Sequence, residues 1–283
     1  MLDNRKNCQR CWFIRPLACF FLTSALVPVV ACPADMPNTD NRSRSIDPNQ
    51  RQELLKDLPS IQMFKKSPPS RFLVDLSDVR RGHPYMGRRA ERPHTGGHIY
   101  FKIPENINEF AAKDYPPIYA VADGVVTRVD YSYELRSMFE PALEKVVANK
   151  RYGIGLTFAK DGTTDITFHY SIEPFVRPQN VALYEQFIYV KPGQKVIKGQ
   201  VIARMYIPNN KLLAQKSHIH FNLLREGGGG FISPSIFNTQ VVREFHKRWN
   251  LFPNNPDAPI PPCMGYLLQP EENPFLRRAV DAL

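Results

Sequence analysis

Ser217-His218-Ile219-His220-Phe221-Asn222-Leu223-Leu224 runs into the glycines of 227–230 and has the form of a β-strand that is stopped. Side chains in a strand change faces at every residue, so His218 and His220 project from one face and Ile219 and Phe221 from the other. Two imidazoles on one face of a strand are a pattern a sheet-borne metal site would need.

Upstream of it the chain reads as further short strands with turn signals between them. Residues 99–103 alternate around Tyr100 and Lys102. Residues 118–122 and 125–131 flank Asp123-Gly124, which predicts a hairpin, and 152–159 and 164–170 flank Lys160-Asp161-Gly162, which predicts another. Residues 196–197 and 201–205 sit around Lys198-Gly199. The expected fold is mainly β, an antiparallel sheet. Two segments read as helices. Residues 133–149 carry Leu135, Met138, Phe139, Ala142, Leu143, Val146 and Val147 at helical spacing, with Pro141 inside as a kink or break, and 235–249 reads as a second helix.

Seven histidines are present, and five of them fall on segments that can meet: His94 and His98, four apart; His169, at the end of its own strand; His218 and His220. A lone histidine is most often a surface residue or a satisfied core residue, and His83 and His246 are read that way. Neutral imidazole nitrogens in such a set suit zinc.

Read together, these segments resemble the lysostaphin/LytM zinc metallopeptidase family. Arg92-Pro93-His94-Thr95-Gly96-Gly97-His98 looks like its Arg-x-His-x-Gly-x-Asp block, and Arg81-Gly82-His83-Pro84 looks like the Arg-x-His-Pro that often precedes it. Residues 117–126, Phe168-His169-Tyr170, residues 190–202 and Ser217-His218-Ile219-His220-Phe221 resemble its later motifs, in the same order, over roughly residues 80–237. The resemblance implies a LytM-type β-sheet domain at 71–250 that cuts peptide cross-links of peptidoglycan with one zinc ion per chain. It implies His94 and His220 as zinc ligands and His169 and His218 as the pair that handles the water and the oxyanion. The family's third ligand is an aspartate, and its position holds His98. A site of three histidines is chemically competent. The alternative is a catalytically silent domain that binds peptidoglycan or regulates another cell-wall hydrolase. The loop before His218, residues 208–216, is bulkier and more basic than the family's Gly/Ser-rich loop and is expected, with 133–149, to line or cover the groove. Tyr100 and Tyr170 are possible additional donors.

The ends read differently. Residues 1–15 are basic, an apolar stretch follows to Val30, and Val29-Val30-Ala31-Cys32 resembles a bacterial lipobox. Residues 1–31 are therefore expected to be a signal peptide with Cys32 as a lipid-anchored residue; an ordinary signal peptide cut near Ala31 or Ala34, or an uncleaved anchor, are the other readings. These place the domain in the periplasm, exported or tethered to a membrane. Residues 32–70 are polar and read as a linker, with a short helix at 50–58, and 251–283 as a proline-rich extension. Cys32 taken up by lipid leaves Cys263 single, so no disulfide is expected. The net charge of +10 favours anionic surroundings, but no compact basic run or nucleic-acid motif is present, so nucleic acid is not an expected partner.

Overall fold

The computed structural model describes residues 42–66, 71–85, 95–140, 144–248 and 263–267. The leader with Cys32, His94 and most of the C-terminal extension lie outside these residues. Among the described residues, no helix is long and apolar enough to cross a membrane.

The fold is mainly β. A large antiparallel sheet runs in the order β1 (Arg42–Ser45), β5 (Gly124–Glu140), β6 (Lys145–Asp161), β7 (Thr164–Val176), β10 (His218–Arg225), β3 (Gly96–Phe101) and β2 (Val79–Tyr85). β8 (Lys195–Val196) pairs with β5 and β11 (Gly230–Ile232) with β10, while β4 (Pro117–Tyr119) and β9 (Val201–Arg204) form a separate two-stranded sheet. One face of the large sheet is apolar. Ile99 and Phe101, Phe168, Tyr170 and Ile172, and Ile219, Phe221 and Leu223 are all buried there. Against them pack Ile118, Ile202 and Ala203 of the small sheet and Val242 and Phe245 of α4 (Thr239–His246). Rings of Phe72, Phe168, Phe221, Phe237 and Phe245 meet at centroid distances of 4.8–6.4 Å in the middle. The other face carries the polar side chains and the histidines.

Three expectations are corrected. Residues 133–140 and 145–149 are not helical: they are the outer halves of β5 and β6, paired from Tyr133↔Arg151 to Glu140↔Lys145. A helix through Pro141 would lose a backbone bond and cost about 3 kcal/mol. The extended form instead prolongs a ladder already running between Val125–Asp130 and Gly153–Thr157. Asp123-Gly124 does not close a hairpin. β4 pairs with β9 and β5 with β6, so the chain steps from one sheet to the other at that point. The hairpin at Lys160-Asp161-Gly162 does form, with Gly162 in the left-handed region.

Residues 42–66 are not a free spacer. β1 adds to the edge of β5, Ile46 donates its N–H to the Thr127 carbonyl, and Ile46, Leu55 and Ile61 are buried. The helix there is α1 (Pro48–Leu55), capped by Asp47, and α2 (Ile61–Lys66) follows. Arg51 of α1 pairs with Asp165 at 2.6 Å. The second expected helix is α4, which Asn238 caps at its start. At the far end, Cys263 is free and buried, and the Tyr266 hydroxyl donates to the carbonyls of Ser235 and Phe237.

Candidate functional site

Sheet register brings the histidines together. His83 on β2 stands opposite His98 on β3, and His98 opposite His220 on β10. Directly paired residues on one face have side chains within reach of each other, so these rings form one row. His98 Nε2 lies 2.8 Å from His220 Nδ1, and His98 Nδ1 lies 3.3 Å from His83 Nδ1. The row continues past His220 to Ser171 on β7, Gly153 on β6 and Asp130 on β5.

His218 and His169 flank His220. His218 faces Tyr100 on one side and Glu173 on the other. Its Nδ1 donates to the Lys216 carbonyl at 2.8 Å, and its Nε2 stands 3.5 Å from a Glu173 carboxylate oxygen, so a proton on Nε2 has an anion to meet. The Ser171 hydroxyl donates to the other oxygen of Glu173 at 3.0 Å. His169 stands across from Asn222, whose side-chain amide is 2.9 Å from His220 Nε2.

Burial sets the charge of these rings. Loss of water pushes His83 down to about 4 and His220 to about 3, with repulsion from His218 adding to both. His98 is driven further down by burial, then by His218, His220 and His83. His169 is lowered too, burial outweighing the opposing pull of Glu226. Neutral imidazole is the form that binds a metal or takes a proton.

Beside His220 and His169 opens a groove of about 270 Å³. Gly155 of β6 lines it, where a side chain would stand 3.4 Å from Arg128 and 3.7 Å from His169. Arg128 and Arg151 border it, together with Asp130, Glu173 and Asn222. Asp130 is buried and accepts from Arg128 Nε at 2.7 Å, Arg151 Nη1 at 3.0 Å and the Ser43 hydroxyl at 2.6 Å. Two cations and two carboxylates thus balance in the groove wall. At the open end, the Tyr85 ring lies 4.3 Å from that of His220 and 6.2 Å from that of Phe231.

The sequence-predicted residues fare as follows. His98, His169, His218 and His220 share the polar face. His94 lies outside the described residues. Tyr100 sits at the site, its hydroxyl 3.3 Å from His83 Nε2. Tyr170 does not: it points into the core, where its hydroxyl bonds the backbone of Tyr119 and Val121. Among the described residues, 208–216, 133–140 and 144–149 do not line this groove. The former instead make α3 (Lys211–Ala214), capped by Asn210. His246 ends α4, buried. His83 reads from sequence as an ordinary histidine, but its ring lies 4.5 Å from that of His98. The alternation of Arg81, His83 and Tyr85 marks a strand, but Gly82 and Pro84 mask it. Both are tolerated because β2 is the last strand of its sheet, and a side chain at 82 would strike the Phe245 ring.

The resemblance implies zinc, and the donors can be tested against it. Two ligands on a tetrahedral ion at about 2.0–2.1 Å stand about 3.4 Å apart. The facing nitrogens of His98 and His220, both neutral, would have to part by only roughly half an ångström. Among the described residues, no group of three or more His, Cys, Asp or Glu is arranged to hold a metal ion. The described chain therefore offers a pair of suitable nitrogens, and the third position the resemblance assigns, His94, lies beyond it.

No family model matches the chain, and no curated protein matches it. Among solved structures it is similar to the NMR solution structure of lysostaphin, at 14% sequence identity and a TM-score of 0.31, over 61% of this chain and 56% of that one. The chain thus spans little more than half the length of that protein.

Proposed function

We propose that the chain is an exported zinc-dependent endopeptidase acting on peptidoglycan peptides, with His94, His98 and His220 as ligands and His169 and His218 as the proton-handling pair. The observation that carries this reading is the 2.8 Å approach of two neutral imidazole nitrogens, His98 Nε2 and His220 Nδ1, beside a groove that His169 borders. Zinc, when bound, supplies Lewis acidity and makes water more acidic near neutral pH. The chain's own groups do the rest. His169 is neutral and able to accept a proton from water at the groove. His218, its Nδ1–H given to the Lys216 carbonyl and its Nε2 beside Glu173, can take up a proton on Nε2 and present it to a developing oxyanion or a departing amine.

A second reading has its own observation. The contacts His83–His98–His220–Asn222 are satisfied without any cation, which suits a silent domain that binds peptidoglycan or regulates a cell-wall hydrolase. Metal analysis of the purified protein, followed by digestion of purified sacculi with product analysis, separates the two. About one zinc per chain, lost in His220→Ala, with new peptide ends released from sacculi, supports the enzyme. Sacculus binding without cleavage supports the silent domain. Neither zinc nor sacculus binding overturns both. Palmitate labelling abolished by Cys32→Ala tests the anchor.

A further inference from the structure

The row of imidazoles uses both nitrogens of its middle member. His98 Nδ1 meets His83 Nδ1 at 3.3 Å, and His98 Nε2 meets His220 Nδ1 at 2.8 Å. A neutral imidazole carries one proton, so what His98 presents to His220 is decided by what His83 presents to His98.

The Pro84 end of the row sets its direction in the metal-free chain. His83 Nδ1 is also 3.3 Å from the Pro84 carbonyl, which can only accept, so that contact places the His83 proton on Nδ1. His98 Nδ1 then accepts, and the His98 proton sits on Nε2, donated to His220 Nδ1. The His220 proton sits on Nε2 and requires an acceptor. Asn222 Nδ2, a donor, faces that nitrogen at 2.9 Å and Asn222 Oδ1 is buried with no hydrogen-bond partner, so this direction requires the amide turned over, with Oδ1 toward His220. The Tyr100 hydroxyl, 3.3 Å from His83 Nε2, closes the other end as a donor.

We infer that His83 is a positioning residue for His98, selecting which His98 nitrogen turns a lone pair toward His220. With the His83 proton on Nδ1, the row is closed and a proton fills the gap between His98 and His220. With that proton on Nε2, donated to Tyr100 Oη, His83 Nδ1 accepts from His98 Nδ1–H. The lone pairs of His98 Nε2 and His220 Nδ1 then face the same gap, an arrangement a cation stabilises. The change is balanced: one proton moves from Nε2 to Nδ1 of His98, another from Nδ1 to Nε2 of His83, and none is gained or lost. This rests on the reading of His98 and His220 as a ligand pair.

Long-range proton–nitrogen NMR of histidine-labelled full-length protein tests it. Without metal, His98 is expected as the Nε2–H form and His83 as Nδ1–H; added zinc reverses both. In His83→Phe, metal-free His98 loses its fixed tautomer and zinc binding weakens by about tenfold to a hundredfold, whereas His83→Gln, which keeps a donor and an acceptor, restores most of it. An Nδ1–H His98 in the unaltered metal-free protein, or a His98 tautomer and zinc affinity unmoved by His83→Phe, overturns the inference. If the unaltered protein takes no zinc, the ligand reading fails, while the metal-free tautomers still decide the role of His83. A His83→Phe chain that fails to fold leaves the spectra of the unaltered protein to decide.

Discussion

Gly96 and Phe221 lie so close across the β3–β10 pair that a methyl group at position 96 would overlap the Phe221 carbonyl oxygen. That oxygen belongs to the backbone of the strand bearing His220, and Gly96 to the strand bearing His98. Relief can come only by moving the two strands apart. Gly96→Ala is expected to lower stability by about 2–4 kcal/mol, read as a shift in urea midpoint. Gly155→Ala is the control: its nearest neighbours would be 3.4–3.7 Å away, an ordinary contact, so stability should change by less than about 1 kcal/mol. Equal losses in the two variants would show that the β3–β10 approach is not tight.

That His218 and His220 share a face is legible because period two fixes it within a clear strand, whereas His98, just before the strand read at 99–103, comes opposite His220 only through register. The role of His83 was hidden by Gly82 and Pro84, which lower strand propensity and are admitted only because β2 is an edge. Residues 133–149 misled for another reason. Their apolar residues fit a helix, and only the ladder continuing from Val125–Asp130 makes the extended form win. Residues 42–45, Arg-Ser-Arg-Ser, carry no apolar signal at all. They join the sheet through backbone hydrogen bonds and through Ser43 on Asp130, neither of which composition records. Asn222, Glu173 and Arg151 became site residues only through register, which brings distant strands side by side.

Acid should destabilise the metal-free protein before its carboxylates titrate. Histidine in an unfolded chain titrates near 6.5. His83 and His220 are held down to about 4 and about 3 by burial, and His98 and His169 are lowered as well. Between those values the unfolded state binds more protons than the folded one, so stability rises with pH there. The contribution is complete above about pH 6.5 and is lost progressively as pH falls toward the folded values. Urea midpoints of metal-free protein should drop from about pH 7.5 to about pH 5, with unchanged m-values. A flat profile across that window would mean that the rings are hydrated.

Asp130 joins three parts of the molecule. It is buried and takes Arg128, Arg151 and Ser43 at once, tying the groove wall to β1. Asp130→Asn keeps the shape and removes the charge, leaving the largely buried Arg151 guanidinium without its counter-ion. Breaking a pair in this way costs about 3 kcal/mol. The variant should unfold at lower denaturant, and residues 42–46 should become more open to limited proteolysis than the rest of the sheet. Unchanged cleavage there would show that β1 is held by its backbone bonds alone.

His98→Asp puts at position 98 the aspartate that the lysostaphin/LytM resemblance leads one to expect there, and asks what the imidazole does. An aspartate is shorter, so its oxygens sit nearer the β3 backbone than Nε2 does, but its negative charge attracts a divalent cation more strongly than a neutral ring. It also changes the partner of His83, whose Nδ1–H then meets a carboxylate in place of an imidazole nitrogen. His98→Asp should keep zinc within about tenfold of the native affinity, while His98→Ala should lose it by more than about a hundredfold. Sacculus digestion by both the native protein and His98→Asp makes His98 a working ligand. Digestion by His98→Asp alone makes the native chain a silent domain, its row of imidazoles holding a proton between His98 and His220.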